Sequence, residues 1–153
     1  MQIPKAILFD LDGVLLDTEP LHGQAWRETA RIFGTYLSGE QLILLQGRRR
    51  KDCAKKVLEW IKQPTDIESV LETHQPISTR LMKNAKPMPG SEELIKWCYS
   101  YNLPIALITS SGSNSIKIKT APHSWLKLFT IKVKGDDPLL LNGKPAPDPY
   151  LLG

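Results

Sequence analysis

The chain has 153 residues, 41% of them hydrophobic and 24% charged, with a net charge of +4. That is the balance of an ordinary soluble globular domain. The basic excess is mild and spread along the chain; the one tight run, Arg48-Arg49-Arg50-Lys51, is short and lacks interleaved aromatics, so it reads as a solvated helix start rather than a nucleic-acid surface. Cys53 and Cys98 have neither the number nor the spacing of a disulfide framework or metal site and read as small buried side chains. The opening Met-Gln-Ile-Pro-Lys carries no basic leader, and the apolar stretch behind it is cut at Asp10. This excludes a secretory signal or a spanning helix there and leaves a cytoplasmic location, with no membrane partner, as the default.

In chain order, Ala6-Ile7-Leu8-Phe9 is a continuous apolar run of the kind expected for a strand covered on both faces. It ends at Asp10, and Gly13 permits a turn. From Thr18 to about Pro87 the pattern is helical. Pro20 suits a first helical turn and Gly34 a stop. Ser38-Gly-Glu-Gln41 has the form of a capping box opening a helix that ends near Gly47. Ala54, Val57, Leu58 and Ile61 share a helix face, and Pro64 ends that helix. Thr65-Asp-Ile-Glu68 reads as a second capping box, and Pro76 is expected to kink or divide the helix that follows.

The texture changes at Pro87-Met-Pro-Gly90, a rigid connector. Leu94, Ile95 and Cys98 mark a helix, Pro104–Thr109 a second buried strand, Ser111-Gly-Ser-Asn a loop opening another helix, Phe129–Val133 a third strand, and Gly135-Asp-Asp-Pro138 a turn. Strand, helix, strand, helix, strand predicts an α/β fold with a parallel sheet, and the helical block is an insertion after the first strand.

Ligands of open parallel sheets bind beyond the carboxyl ends of the strands. Polar groups follow all three strands here: Asp10 and Asp12, then Thr109-Ser110, then Asp136-Asp137, with Lys144 shortly after. Carboxylates that converge repel one another unless a cation joins them, and oxygen-only donors point to a hard ion such as Mg²⁺. Each element alone has an ordinary meaning. Asp-x-Asp suits an N-cap and turn, Thr109 a strand end, and Lys144 a surface.

Taken together, Asp10-Leu-Asp12-Gly-Val-Leu-Leu-Asp17, Thr109-Ser110 and Lys144 in Gly-Lys-Pro-Ala-Pro-Asp-Pro-Tyr resemble the first three motifs of the haloacid dehalogenase-like superfamily, in its phosphohydrolase branch. The resemblance implies a Rossmann-like parallel core, residues 1–15 and 88–153, with an inserted helical cap, residues 16–87, as in relatives of β-phosphoglucomutase. The stretch Thr109–Phe129, with Lys119-Thr120 and His123, followed by Lys-Gly-Asp-Asp-Pro, is similar to pseudouridine-5′-phosphatase and glycerol-phosphatase relatives.

The resemblance implies a Mg²⁺-dependent phosphomonoesterase acting on a small sugar, polyol or nucleotide phosphate, with no nucleic-acid partner. Asp10 is the expected nucleophile, needing no deprotonation at neutral pH, and Asp12 the acid/base. Asp10 and Asp12 are the expected metal ligands, Thr109 and Ser110 hold the phosphoryl group, and Lys144 neutralises its charge. In the cap, Arg50 matches an arginine that grips a second phosphate in mutase-like members, and His22 with Trp26 also resembles the mutase pattern; Gln46 stands where mutases carry lysine. Asp17 suits a helix cap as well as catalysis. His74 reads as packing, and Asp136 and Asp137 as turn or helix-cap residues. A phosphosugar mutase and a non-catalytic remnant that binds a phosphometabolite or protein are the alternatives.

The family's fourth motif, an acidic pair after a further strand, has no counterpart before Gly153. A truncated phosphatase, or a chain completing its sheet with a partner, is therefore expected, with weak Mg²⁺ binding and impaired turnover. The unpaired apolar edge of the first strand is then a surface for self-association.

Overall fold

The computed structural model describes residues 4–46 and 48–153. The chain divides into two compact units, residues 1–17 with 85–153 and residues 18–84. The first unit is built on a parallel sheet of β1 (Ile7–Phe9), β4 (Ile105–Ile108) and β5 (Ile131–Val133), in the order β1-β4-β5. Register is Ile7 opposite Ile105 and Ala106 opposite Ile131. All three strands run the same way, so their carboxyl ends lie along one edge. Helices α5 (Ser91–Ser100) and α6 (Ser113–Thr120) are the connections that parallel pairing requires. Ile95 and Cys98 of α5 are buried, while Leu94 stays exposed. A short 3₁₀ turn, Ser124–Leu128, precedes β5, and α7 spans Asp148–Leu152.

Beneath the end of β1, Phe9 meets Phe129 edge to face, with ring centroids 5.8 Å apart. A two-residue strand, β2 (Leu16–Asp17), pairs antiparallel with β3 (Lys86–Pro87), so the outgoing and returning chain run side by side. This corrects two expectations. Residues 86–87 are strand rather than helix end, and Asp17 sits exposed in β2 instead of capping a helix; the N-cap position belongs to Thr18, which makes no side-chain cap bond.

The second unit is all helical: α1 (Glu19–Ile32), α2 (Gly39–Ile43), α3 (Arg50–Trp60) and α4 (Ile67–Met82). Its core gathers Trp26, Ala30, Leu37, Ala54, Val57 and Val70. The Ser38 box closes reciprocally, Gln41 N–H donating to Ser38 Oγ and Ser38 N–H to Gln41 Oε1. The helix ends at Ile43, earlier than expected, and Gly47 lies outside the described residues. Asp66 rather than Thr65 caps α4, its carboxylate accepting from Ser69 N–H at 2.7 Å and settling below its ordinary pKa. Helix α4 runs undivided through Pro76. Pro76 removes the bond to the Glu72 carbonyl, but both residues are exposed, so water can satisfy that oxygen. No described helix is long and apolar enough to cross a membrane.

Candidate active site

The segment after β1 alternates burial with chemistry. Leu11, Leu15 and Leu16 are at most 1% exposed and anchor the loop in the core. Gly13, at φ 74°, reverses the chain between them, and Leu15 and Leu16 N–H both donate to the Leu11 carbonyl. Fixing the leucines fixes the two aspartates between and beside them. Asp10 Oδ1 accepts from Leu11 N–H at 2.7 Å, and Asp10 Oδ2 lies 3.1 Å from Lys144 Nζ. The Asp10 side chain remains 38% exposed, open to a reactant.

Lys144 is held from below. Its ammonium donates to the Ile108 carbonyl at 2.8 Å, one residue short of Thr109, and stands 5.2 Å from the Tyr150 ring centroid. Thr109 is buried at the end of β4, where its N–H donates to Val133 O and its Oγ1 accepts from Ser111 N–H at 3.0 Å. Ser110 is exposed at the crest of this turn. The turn is clamped from β5, since Gly135 N–H donates to Ser111 O and the Gly135 Cα passes close under Ser110. Asp136 accepts from Ser113 N–H at 2.8 Å and Ser113 Oγ at 3.0 Å, capping α6 from across the loop, which lowers its pKa. Asp137 accepts from Leu139 N–H, a turn contact.

Asp12 has partners that the sequence reading did not assign. Lys119 Nζ donates to Asp12 Oδ1 at 2.6 Å, to Asp12 Oδ2 at 2.8 Å and to Ser111 Oγ at 2.7 Å, while Ser111 Oγ donates to Asp12 Oδ2 at 2.8 Å. The Lys119 side chain is 1% exposed. Read as sequence, Ser-Ile-Lys-Ile-Lys-Thr looks like a solvated turn of helix. The available signal was position: Lys119 follows Ile116 by three residues, on the face of α6 that is buried.

Asp10, Asp12, Thr109, Ser110 and Lys144 thus lie together in the first unit. Each carboxylate has its own ammonium: Lys144 on Asp10, Lys119 on Asp12. The remaining predicted residues lie in the helical unit. Arg50 begins α3 and donates to Gln75 Oε1, whose amide nitrogen donates in turn to Thr79 Oγ1. Trp26 is core, stacked at 3.6 Å on His74, and the charges of Arg50 and His22 reach the same imidazole. His123, in the first unit, contacts Ala85 O through Nε2 at 2.7 Å, a structural bond.

No group of three or more His, Cys, Asp or Glu side chains is placed to hold a metal among the described residues. The acidic side chains at this strand edge, Asp10 and Asp12, offer oxygen donors only. Two carboxylates against two ammonium groups leave the site near neutrality, so a phosphate dianion entering it would bring charge that a divalent cation balances. Mg²⁺ accepts such a sparse protein set because it keeps several waters and shares substrate oxygens.

Residues 7–153 match the family model "Haloacid dehalogenase-like hydrolase". The chain is 35% identical over 147 residues to the Drosophila melanogaster "Probable pseudouridine-5'-phosphatase", covering 95% of this chain and 64% of that one. It is 30% identical over 148 residues to (DL)-glycerol-3-phosphatase 2 of Arabidopsis thaliana, covering 95% and 62%. The crystal structure of a HAD hydrolase, family IA, variant 3, from Entamoeba histolytica superposes with a TM-score of 0.77 at 32% identity, covering 95% of this chain and 67% of that one. The chain therefore spans a little under two thirds of the length of these curated relatives. It belongs to the haloacid dehalogenase-like hydrolase family, in the branch of the β-phosphoglucomutases and pseudouridine-5′-phosphatases.

Proposed function

We propose that the chain is a Mg²⁺-dependent phosphomonoesterase that acts through an aspartyl-phosphate on a small sugar, polyol or nucleotide phosphate. The observation that carries this reading is the half-exposed Asp10 carboxylate, oriented by Leu11 N–H and neutralised by Lys144 at the carboxyl edge of a parallel sheet. The named phosphatases to which the chain is similar support the same reaction class.

Asp10 attacks phosphorus through one carboxylate oxygen while the bond from phosphorus to the ester oxygen breaks. Asp12, in its protonated form, gives the leaving alkoxide a proton; its carboxylate then takes a proton from the water that hydrolyses the aspartyl-phosphate. Thr109 Oγ1 and the Ser110 N–H hold phosphoryl oxygens, and Lys144 offsets the charge on them. Asp10 and the main-chain carbonyl of Asp12 are the residues that would hold Mg²⁺. When bound, the ion supplies charge neutralisation at the phosphoryl oxygens. In the helical unit, engagement of Arg50 by Gln75, together with Gln46 where mutases carry lysine, favours hydrolysis over phosphosugar isomerisation.

Phosphate release from a panel of sugar, polyol and nucleotide monophosphates, with and without Mg²⁺, tests the proposal. Asp10→Asn removes the nucleophile and is expected to lower kcat at least about 10³-fold. Turnover by the Asp10→Asn protein at the wild-type rate would rule out the aspartyl-phosphate.

A further inference from the structure

We infer that Lys119 is a positioning residue for Asp12, acting with Ser111 to hold its carboxyl group where protons pass to the leaving group and from the hydrolytic water. The inference deepens the phosphatase reading and rests on it.

A lysine ammonium taken out of water is costly, and the cost is met only when its donors find acceptors. Lys119 has three N–H donors and three acceptor atoms in reach: both oxygens of Asp12 and Ser111 Oγ, all within 2.6–2.8 Å. Ser111 completes the ring by donating its own proton to Asp12 Oδ2 at 2.8 Å. Every donor in this set has a partner within the set. A bidentate ammonium plus one hydroxyl fixes the plane of the carboxylate as well as its place. The Asp12 side chain nevertheless stays 22% exposed, so the clamp leaves it open to a reactant.

The clamp also joins two parts of the site. Ser111 N–H donates to Thr109 Oγ1, and Lys119 stands two turns along the helix that the same loop opens. Lys119 thereby ties the acid/base to the loop proposed to carry phosphate. It is a separate group from Lys144, which meets Asp10 and the Ile108 carbonyl.

Leaving-group chemistry separates positioning from mere support of the fold. An alkyl phosphate expels an alkoxide that needs a proton, whereas p-nitrophenyl phosphate expels a stable anion that does not. Phosphoenzyme formation from both esters is followed in single-turnover quench experiments on the full chain. Lys119→Met, of similar length and without donors, is expected to slow the alkyl ester about 10²-fold, the worth of a well-placed general acid, and the aryl ester far less. Lys119→Arg is expected to restore part of the loss. Ser111→Ala, which removes one hydroxyl and no buried charge, should show the same bias on a smaller scale and serves if Lys119→Met does not fold. In an Asp12→Ala background, Lys119→Met is expected to add no further loss on the alkyl ester.

Equal losses on the two esters in both Lys119→Met and Ser111→Ala, or full additivity with Asp12→Ala, would overturn the role of Lys119 alone. A wild-type chain that forms no phosphoenzyme from either ester would overturn the phosphatase reading itself, and the role with it.

Discussion

At Gly135 the structure admits no side chain. A Cβ there would stand 2.1 Å from the Ser110 carbonyl oxygen, a backbone atom that cannot swing aside. Gly135→Ala must therefore push the Thr109–Ser111 turn away from β5 and break the register of the proposed phosphate-binding groups. The expected result is a loss of about 1–3 kcal/mol of stability together with a fall in kcat larger than unfolding explains, read from urea melts and from rates at a temperature where the variant is folded. Wild-type kinetics would contradict the close approach. The Gly-Asp-Asp-Pro turn was legible in the sequence, but its purpose was not. A glycine needed for contact with another segment looks the same as one needed for its own dihedral angles, and Gly135 is not at positive φ.

Among the elements, α1 and α4 meet around a histidine that burial keeps neutral. His74 is 1% exposed, lies flat on Trp26, and faces Thr29 Oγ1 at 3.2 Å through Nδ1; the Thr29 hydroxyl itself donates to Ala25 O, so Nδ1 carries the proton. Desolvation first, then the positive charges of Arg50 and His22, push its pKa from 6.5 down to about 3. Between those values the unfolded chain binds a proton that the folded chain refuses. Stability from this group is complete above pH about 6.5 and is lost as pH falls towards 3, by roughly 1.4 kcal/mol per pH unit at most. Denaturation midpoints measured from pH 7 to 4 should fall more steeply for wild type than for His74→Gln; parallel curves would contradict the assignment.

Other features of these elements explain what a sequence can and cannot disclose. The Ser38 capping box and the Gly13 and Gly34 reversals are local, set by residues within a few positions, and were legible. Thr65 and Asp66 are adjacent candidates for one cap, and only the path of the chain selects Asp66. The helix-cap reading of Asp17 failed because β2 exists only through pairing with Lys86–Pro87, nearly seventy residues away in sequence. Cys53 was legible as buried. Its thiol donates to Leu45 O at 3.3 Å, and burial raises its pKa to about 11, which leaves it inert as a nucleophile.

For the molecule as a whole, the fold class followed from the alternation of strand and helix, and the family from three ordered motifs. The pairing of two aspartates with two lysines did not. Lys144 stands in a recognisable motif, whereas Lys119 reaches Asp12 across 107 positions from inside a helix of polar texture. Its burial is a property of tertiary packing and leaves only the i, i+3 trace with Ile116. The groups proposed to touch the phosphoryl centre all lie in the first unit.

The most direct test of that account is to locate the covalent phosphate. The wild-type chain is mixed with Mg²⁺ and a phosphate monoester that it turns over, quenched in acid within a single turnover, digested and sequenced by tandem mass spectrometry. The account predicts a phosphoryl group on Asp10, absent from the Asp10→Asn protein. Phosphate release with no modified residue, or with the phosphoryl group on any side chain other than Asp10, would contradict it.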